Sequence, residues 1–166
     1  MFTEMPPLTL AHVIISLIAI ASGFVVLTGL INAKMLEGWT AIFLATTVLT
    51  SVSGFFLPAA HLMPSHVVGI ISLIVLAAAI VARYLYHLRS GWRGTYVVTA
   101  MIAFYLNVFV LVAQLFAKVP SLKALAPTQT EAPFVIAQLV VMTLFVVLTV
   151  VANRGFRGFG PVLSPR

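Results

Sequence analysis

The dominant pattern along the chain is a series of long apolar runs separated by short polar breaks. A helix crosses a hydrocarbon core of about 30 Å with about 20 mainly apolar residues, each rising ~1.5 Å. Five runs reach that length: 8–31, 39–57, 65–88, 95–117 and 133–152. Gly38 and Pro58 bound the second run, and the turn Arg89-Ser90-Gly91-Trp92-Arg93-Gly94 precedes the fourth. Pro64 and Pro133 stand where helices begin, at positions where a missing N–H costs nothing. The pattern predicts an all-α polytopic membrane protein, with a single transmembrane domain over 1–166 built as a bundle of five helices. No basic residue precedes the first run, which exceeds the roughly 7–15 apolar residues of a signal peptide core and is expected to be a helix of the bundle.

Composition strengthens this picture. Hydrophobic residues make up 62% of the 166 and charged residues only 7%, with a mean hydropathy of +1.18. A soluble domain carries about 45–50% apolar and about 25% charged residues, so this chain cannot cover a water-facing surface. Disordered chains and nucleic-acid readers are excluded on the same ground, and the absence of cysteine excludes a disulfide scaffold, a thiol nucleophile and a thiolate metal site.

The net charge of +6 then reads as a topology signal rather than as attraction to an anionic partner. Threading five spans puts Lys34, Arg83, Arg89, Arg93, Arg154, Arg157 and Arg166 on one side, against Lys118 and Lys123 on the other. This asymmetry predicts an N-terminus outside and a C-terminus in the cytoplasm. Trp39, Tyr84, Tyr86, Trp92 and Tyr96 would form the inner aromatic belt, with Phe55, Phe56, Phe116 and Phe134 at the outer edge. A faint repeat, His12-Val13-Ile14 with Ser16-Leu17-Ile18 against His66-Val67-Val68 with Ser72-Leu73-Ile74, suggests two hairpins plus a fifth helix.

Lipid provides no hydrophobic drive between helices, so small residues mark close approach. Ser16, Ala19 and Gly23 in the first run, and Thr47, Ser51 and Gly54 in the second, predict that these two helices pack tightly together. Asn107 and Gln114 are seven residues apart and share one helix face, and antiparallel packing would set Gln114 level with Gln138. A Gln114 to Gln138 hydrogen bond is expected. Asn107, Gln114 and Gln138 are the candidate ligand-binding residues, weighed against a purely structural role for the three amides.

The three carboxylates, Glu4, Glu37 and Glu131, all lie in tails or loops. That counts against a transporter built on a buried acid and against paired-carboxylate hydrolysis. Arg83 lies near the inner edge and reads as a snorkelling anchor. His12, His61 and His66 gather with Glu131 at the outer end and are the candidate ligands of a divalent metal, since imidazole and carboxylate suit such ions. Alternatively His12 and His66, at matching depth, could ligate a b-type haem from both sides. Between the fourth and fifth runs, the stretch 118–133 contains Val119, Leu122 and Leu125 and is expected to form a short amphipathic turn roofing the outer end.

The run Tyr105-Leu106-Asn107-Val108-Phe109-Val110-Leu111-Val112 is followed by Gln114, Lys118-Val119-Pro120, Leu125-Ala126-Pro127-Thr128-Gln129, Glu131 and Pro133-Phe134. Together these resemble a group of small hypothetical inner-membrane proteins of proteobacteria with no established activity. The resemblance covers mainly the fourth helix, the following loop and the start of the fifth, and implies a bacterial inner-membrane location. The expected function is non-enzymatic: an accessory subunit, or a binder of a small or lipidic ligand through the amide-lined face. The alternatives are a haem- or metal-binding redox protein and a small channel or transporter. The expected partners are the lipid bilayer and other membrane subunits or further copies of the chain, with no nucleic acid.

Overall fold

The computed structural model describes residues 6–57 and 64–157. Among them the chain is all helical, and four helices are long and apolar enough to cross a membrane. The elements are α1 (Pro7–Ile31), α2 (Glu37–Gly54), α3 (Pro64–Ile80) continued by a π-helical turn (Val81–Leu85), α4 (Trp92–Lys118), α5 (Pro120–Leu125) and α6 (Ala132–Phe156). Of the five expected spans, α2 is outside those four. Its 18 residues contain Thr40, Thr46, Thr47, Thr50, Ser51 and Ser53, which lower its hydropathy.

The long helices alternate in direction. His12 near the start of α1 meets Ser53 near the end of α2. Ser51 of α2 meets Ser72 in the first half of α3, and Phe116 near the end of α4 packs edge-on against Phe134 at the start of α6. The expected tight pairing of α1 with α2 is present, and α6 lies at the edge of the bundle against α4 and α1.

Gly23 serves a different neighbour from the one the sequence suggested. A Cβ on Gly23 would stand 2.7 Å from the ring of Phe104, so this glycine opens α1 to α4 rather than to α2. Phe104 is the centre of the core: its ring meets Phe24 of α1, Phe43 of α2 and Phe145 of α6, each edge-on, a geometry aromatic rings favour. Gly54 faces His12, and Gly155 of α6 lies directly against the backbone of Ile31 in α1.

Where a short amphipathic turn was expected, stretch 118–133 holds a six-residue helix, α5, which packs against α4. Gln129 Nε2 donates to the Ala113 carbonyl at 2.7 Å and pins the loop to α4. At the opposite end, Tyr86 and Trp92 stack at 3.9 Å across the link from the π-turn to α4. The same end holds Arg93, whose Nη1 donates to the Arg157 carbonyl at 3.3 Å and ties the start of α4 to the end of α6.

Gly155→Ala should lower the melting temperature in detergent by the equivalent of about 1–3 kcal/mol, because the added methyl meets backbone that cannot yield. Gly38→Ala, at a position with open space around it, should leave melting unchanged or raise it.

Candidate binding site at the cationic end

The buried face of α3 comprises Ser72, Leu76, Ala79, Ala82 and Arg83. Ser72, Leu76, Ala79 and Arg83 are spaced four, three and four residues apart, the repeat of one helix face. Arg83 therefore continues the inward stripe. The expectation of a snorkelling anchor is corrected: the side chain is only 7% exposed. In the π-turn, Tyr86 N–H bonds to the Val81 carbonyl, so the helix widens by one residue per turn where Arg83 sits.

The Arg83 guanidinium lies 5.2 Å from the ring centre of Tyr84 and 5.7 Å from that of Tyr96. Its Nη1 donates to the Met35 sulfur at 3.4 Å, and its Nε is buried without a hydrogen-bond partner. Tyr96, expected in the inner aromatic belt, is fully buried, and its hydroxyl also lacks a partner in hydrogen-bonding geometry. The buried side chain of Thr40, from α2, stands beside that hydroxyl. Among the described residues no carboxylate pairs with Arg83. Three elements thus converge on one buried cation and two hydroxyls. The sequence reading missed this site, although the four-three-four spacing along α3 pointed to it.

The three candidate amides do not form one face. Asn107 Nδ2 donates to Thr47 Oγ1 at 3.2 Å, joining α4 to α2. Gln138 is buried and its Nε2 donates to the Phe109 carbonyl at 3.1 Å, while its Oε1 has no partner. Gln114 is exposed. The expected Gln114 to Gln138 bond is therefore corrected: Gln138 bonds to the backbone of α4.

At the other end, His12 Nδ1 is 2.8 Å from Ser53 Oγ. His66 packs against the ring of Phe55 at 5.7 Å between centroids, and His61 lies outside the described residues. Glu131 is engaged locally. Its Oε1 accepts from the amide and hydroxyl of Thr128, at 3.1 and 2.8 Å, and its Oε2 from the Thr130 amide at 3.1 Å. Desolvation opposes ionisation of this carboxyl, but the Thr128 hydroxyl and the neighbouring amides outweigh it and hold the pKa below its ordinary value. Among the described residues, no group of three or more His, Asp or Glu stands together as a metal site.

Comparison with protein-family models, with curated proteins and with solved structures finds no match.

Two measurements follow from these placements. Gln138→Leu should change thermal stability while Gln114→Leu leaves it nearly unaltered. Asn107→Leu should cost about 0.6–2 kcal/mol, the usual range of an interhelical bond in a membrane, and a double-mutant cycle with Thr47→Val should show coupling. The depressed pKa of Glu131 means that its contribution to order is present above the unfolded carboxyl pKa and lost as pH falls through the folded one. Protection of the Thr128 and Thr130 amides against exchange, relative to the intrinsic rate at each pH, should fall over that window, and Glu131→Gln should remove this change.

Proposed function

We propose that this chain is a non-enzymatic multi-pass protein of the bacterial inner membrane that binds a small or lipidic anionic ligand. One observation carries the reading: Arg83 is buried among helices with an unpartnered Nε and, among the described residues, no carboxylate paired with it. Arginine stays charged in proteins, and a buried charge is costly unless paired. Two tyrosine rings offset part of that cost, and an anion brought by a ligand supplies the rest. An intramembrane ionisable group of this kind marks a binding or transport function by default.

In this reading the chain crosses the membrane five times, with its N-terminus outside and its C-terminus in the cytoplasm. Support for α2 as the remaining span comes from its length, about 27 Å, and from the burial of Thr40, Thr47 and Ser51 inside the bundle rather than toward lipid. Support for the orientation comes from the excess of lysine and arginine at the end where α1, the π-turn and α6 finish.

Reporter fusions test the topology: a cytoplasm-active reporter after Arg166 should work, and one placed within 121–130 should not. The binding reading is tested on the full chain in dodecyl maltoside. Either dodecanoate or dodecyl phosphate should raise the melting temperature of the native protein and should not raise that of Arg83→Gln. If neither amphiphile stabilises the native chain, the binding reading fails.

A further inference from the structure

The antiparallel register of α2 and α3 brings the donors of this site together. Ser51 Oγ donates to Ser72 Oγ at 3.0 Å, and Thr40 and Arg83 each lie eleven residues away from that contact, in opposite chain directions. The two therefore stand at the same height, about 16 Å from the serine pair. Tyr96 of α4 closes the group from a third side.

We propose that this group holds a phosphoryl headgroup carried on an apolar chain, with Arg83, Tyr96 and Thr40 as its donors. The proposal rests on the ligand-binding reading and narrows its chemistry. Met35 takes only Nη1, which leaves the Nε edge of the guanidinium for an anion. A carboxylate is planar, and the side-on edge of one guanidinium engages both of its oxygens, leaving only their second, in-plane lone pairs. A tetrahedral phosphoryl group offers further oxygens out of that plane, where the hydroxyls arrive from α4 and α2. Depth selects a headgroup rather than an ion from bulk water. Arg83 lies two residues before the end of the π-turn, next to half-exposed Tyr84 and to the stacked Tyr86 and Trp92. Tyrosine and tryptophan of this kind settle at the membrane interface, the level of lipid phosphates. Half-exposed Tyr84 lies over the guanidinium, and is the side chain that turns aside when an oxygen reaches Nε.

The test titrates the full chain in dodecyl maltoside with dodecyl phosphate, dodecanoate and inorganic phosphate, following the melting temperature. Dodecyl phosphate should half-saturate at about tenfold lower concentration than dodecanoate, the effect of one further hydrogen bond to a charged group. Inorganic phosphate should give no shift where dodecyl phosphate saturates. Arg83→Lys keeps the charge but loses the fork, and Tyr96→Phe keeps the ring but loses the hydroxyl; each should abolish the preference, while Lys34→Gln retains it. Should Arg83→Lys fail to fold, Tyr96→Phe decides alone. Equal or tighter binding of dodecanoate overturns the phosphoryl assignment and leaves the broader binding reading intact. A shift by inorganic phosphate equal to that by dodecyl phosphate overturns the requirement for an apolar chain. An undiminished preference in Tyr96→Phe overturns the site.

Discussion

A hydroxyl buried between helices has no water to bond, so the face that α2 presents inward decides how this bundle closes. Its buried face carries Thr40, Thr47 and Ser51, and each meets another helix: α4 at Tyr96, α4 again at Asn107, and α3 at Ser72. One of the three hydroxyls also donates back to its own helix, Thr47 to the Phe43 carbonyl, and Ser51 Oγ lies 2.9 Å from the Thr47 carbonyl. The neighbours thus complete a network that α2 has already half satisfied. The side-chain contact between Ser51 and Ser72 fixes the sliding register of α2 on α3. From that register follows the position of Thr40 relative to Arg83.

Around this polar seam the apolar core is organised by Phe104, which reaches α1, α2 and α6 with edge-on ring contacts. The seam sets register, because hydrogen bonds are directional. The aromatic centre sets distance, because a ring that fits against Gly23 leaves no room for a larger residue there. Neither device alone would fix both the height and the spacing of the donors at Arg83.

The helical class and its apolar runs were legible because a bilayer imposes length and composition on every span. Boundaries shifted by a few residues: α4 begins at Trp92 rather than 95, and α6 runs to Phe156 rather than 152, since polar residues such as Arg93 and Asn153 continue a helix into the interface. Arg83 was misread although its phase was visible. Nearness to the run's end favoured a snorkelling arginine, while the spacing from Ser72 through Leu76 and Ala79 placed it inward. Gln114 and Gln138 were paired by depth alone, and depth says nothing about rotation of the helix about its axis. The Asn107 partner was within reach of the sequence, as Thr47 was already marked as an inward small residue. The convergence on Tyr96 was not, because it depends on three helices meeting.

The close approach of Gly155 to Ile31 joins the last helix to the first. A ribosome delivers α1 into the membrane long before α6 exists, so the backbone groove beside Ile31 must wait through the synthesis of most of the chain. Final closure is therefore the seating of α6 on a surface too narrow for a side chain, and it can occur only once α6 itself has been made.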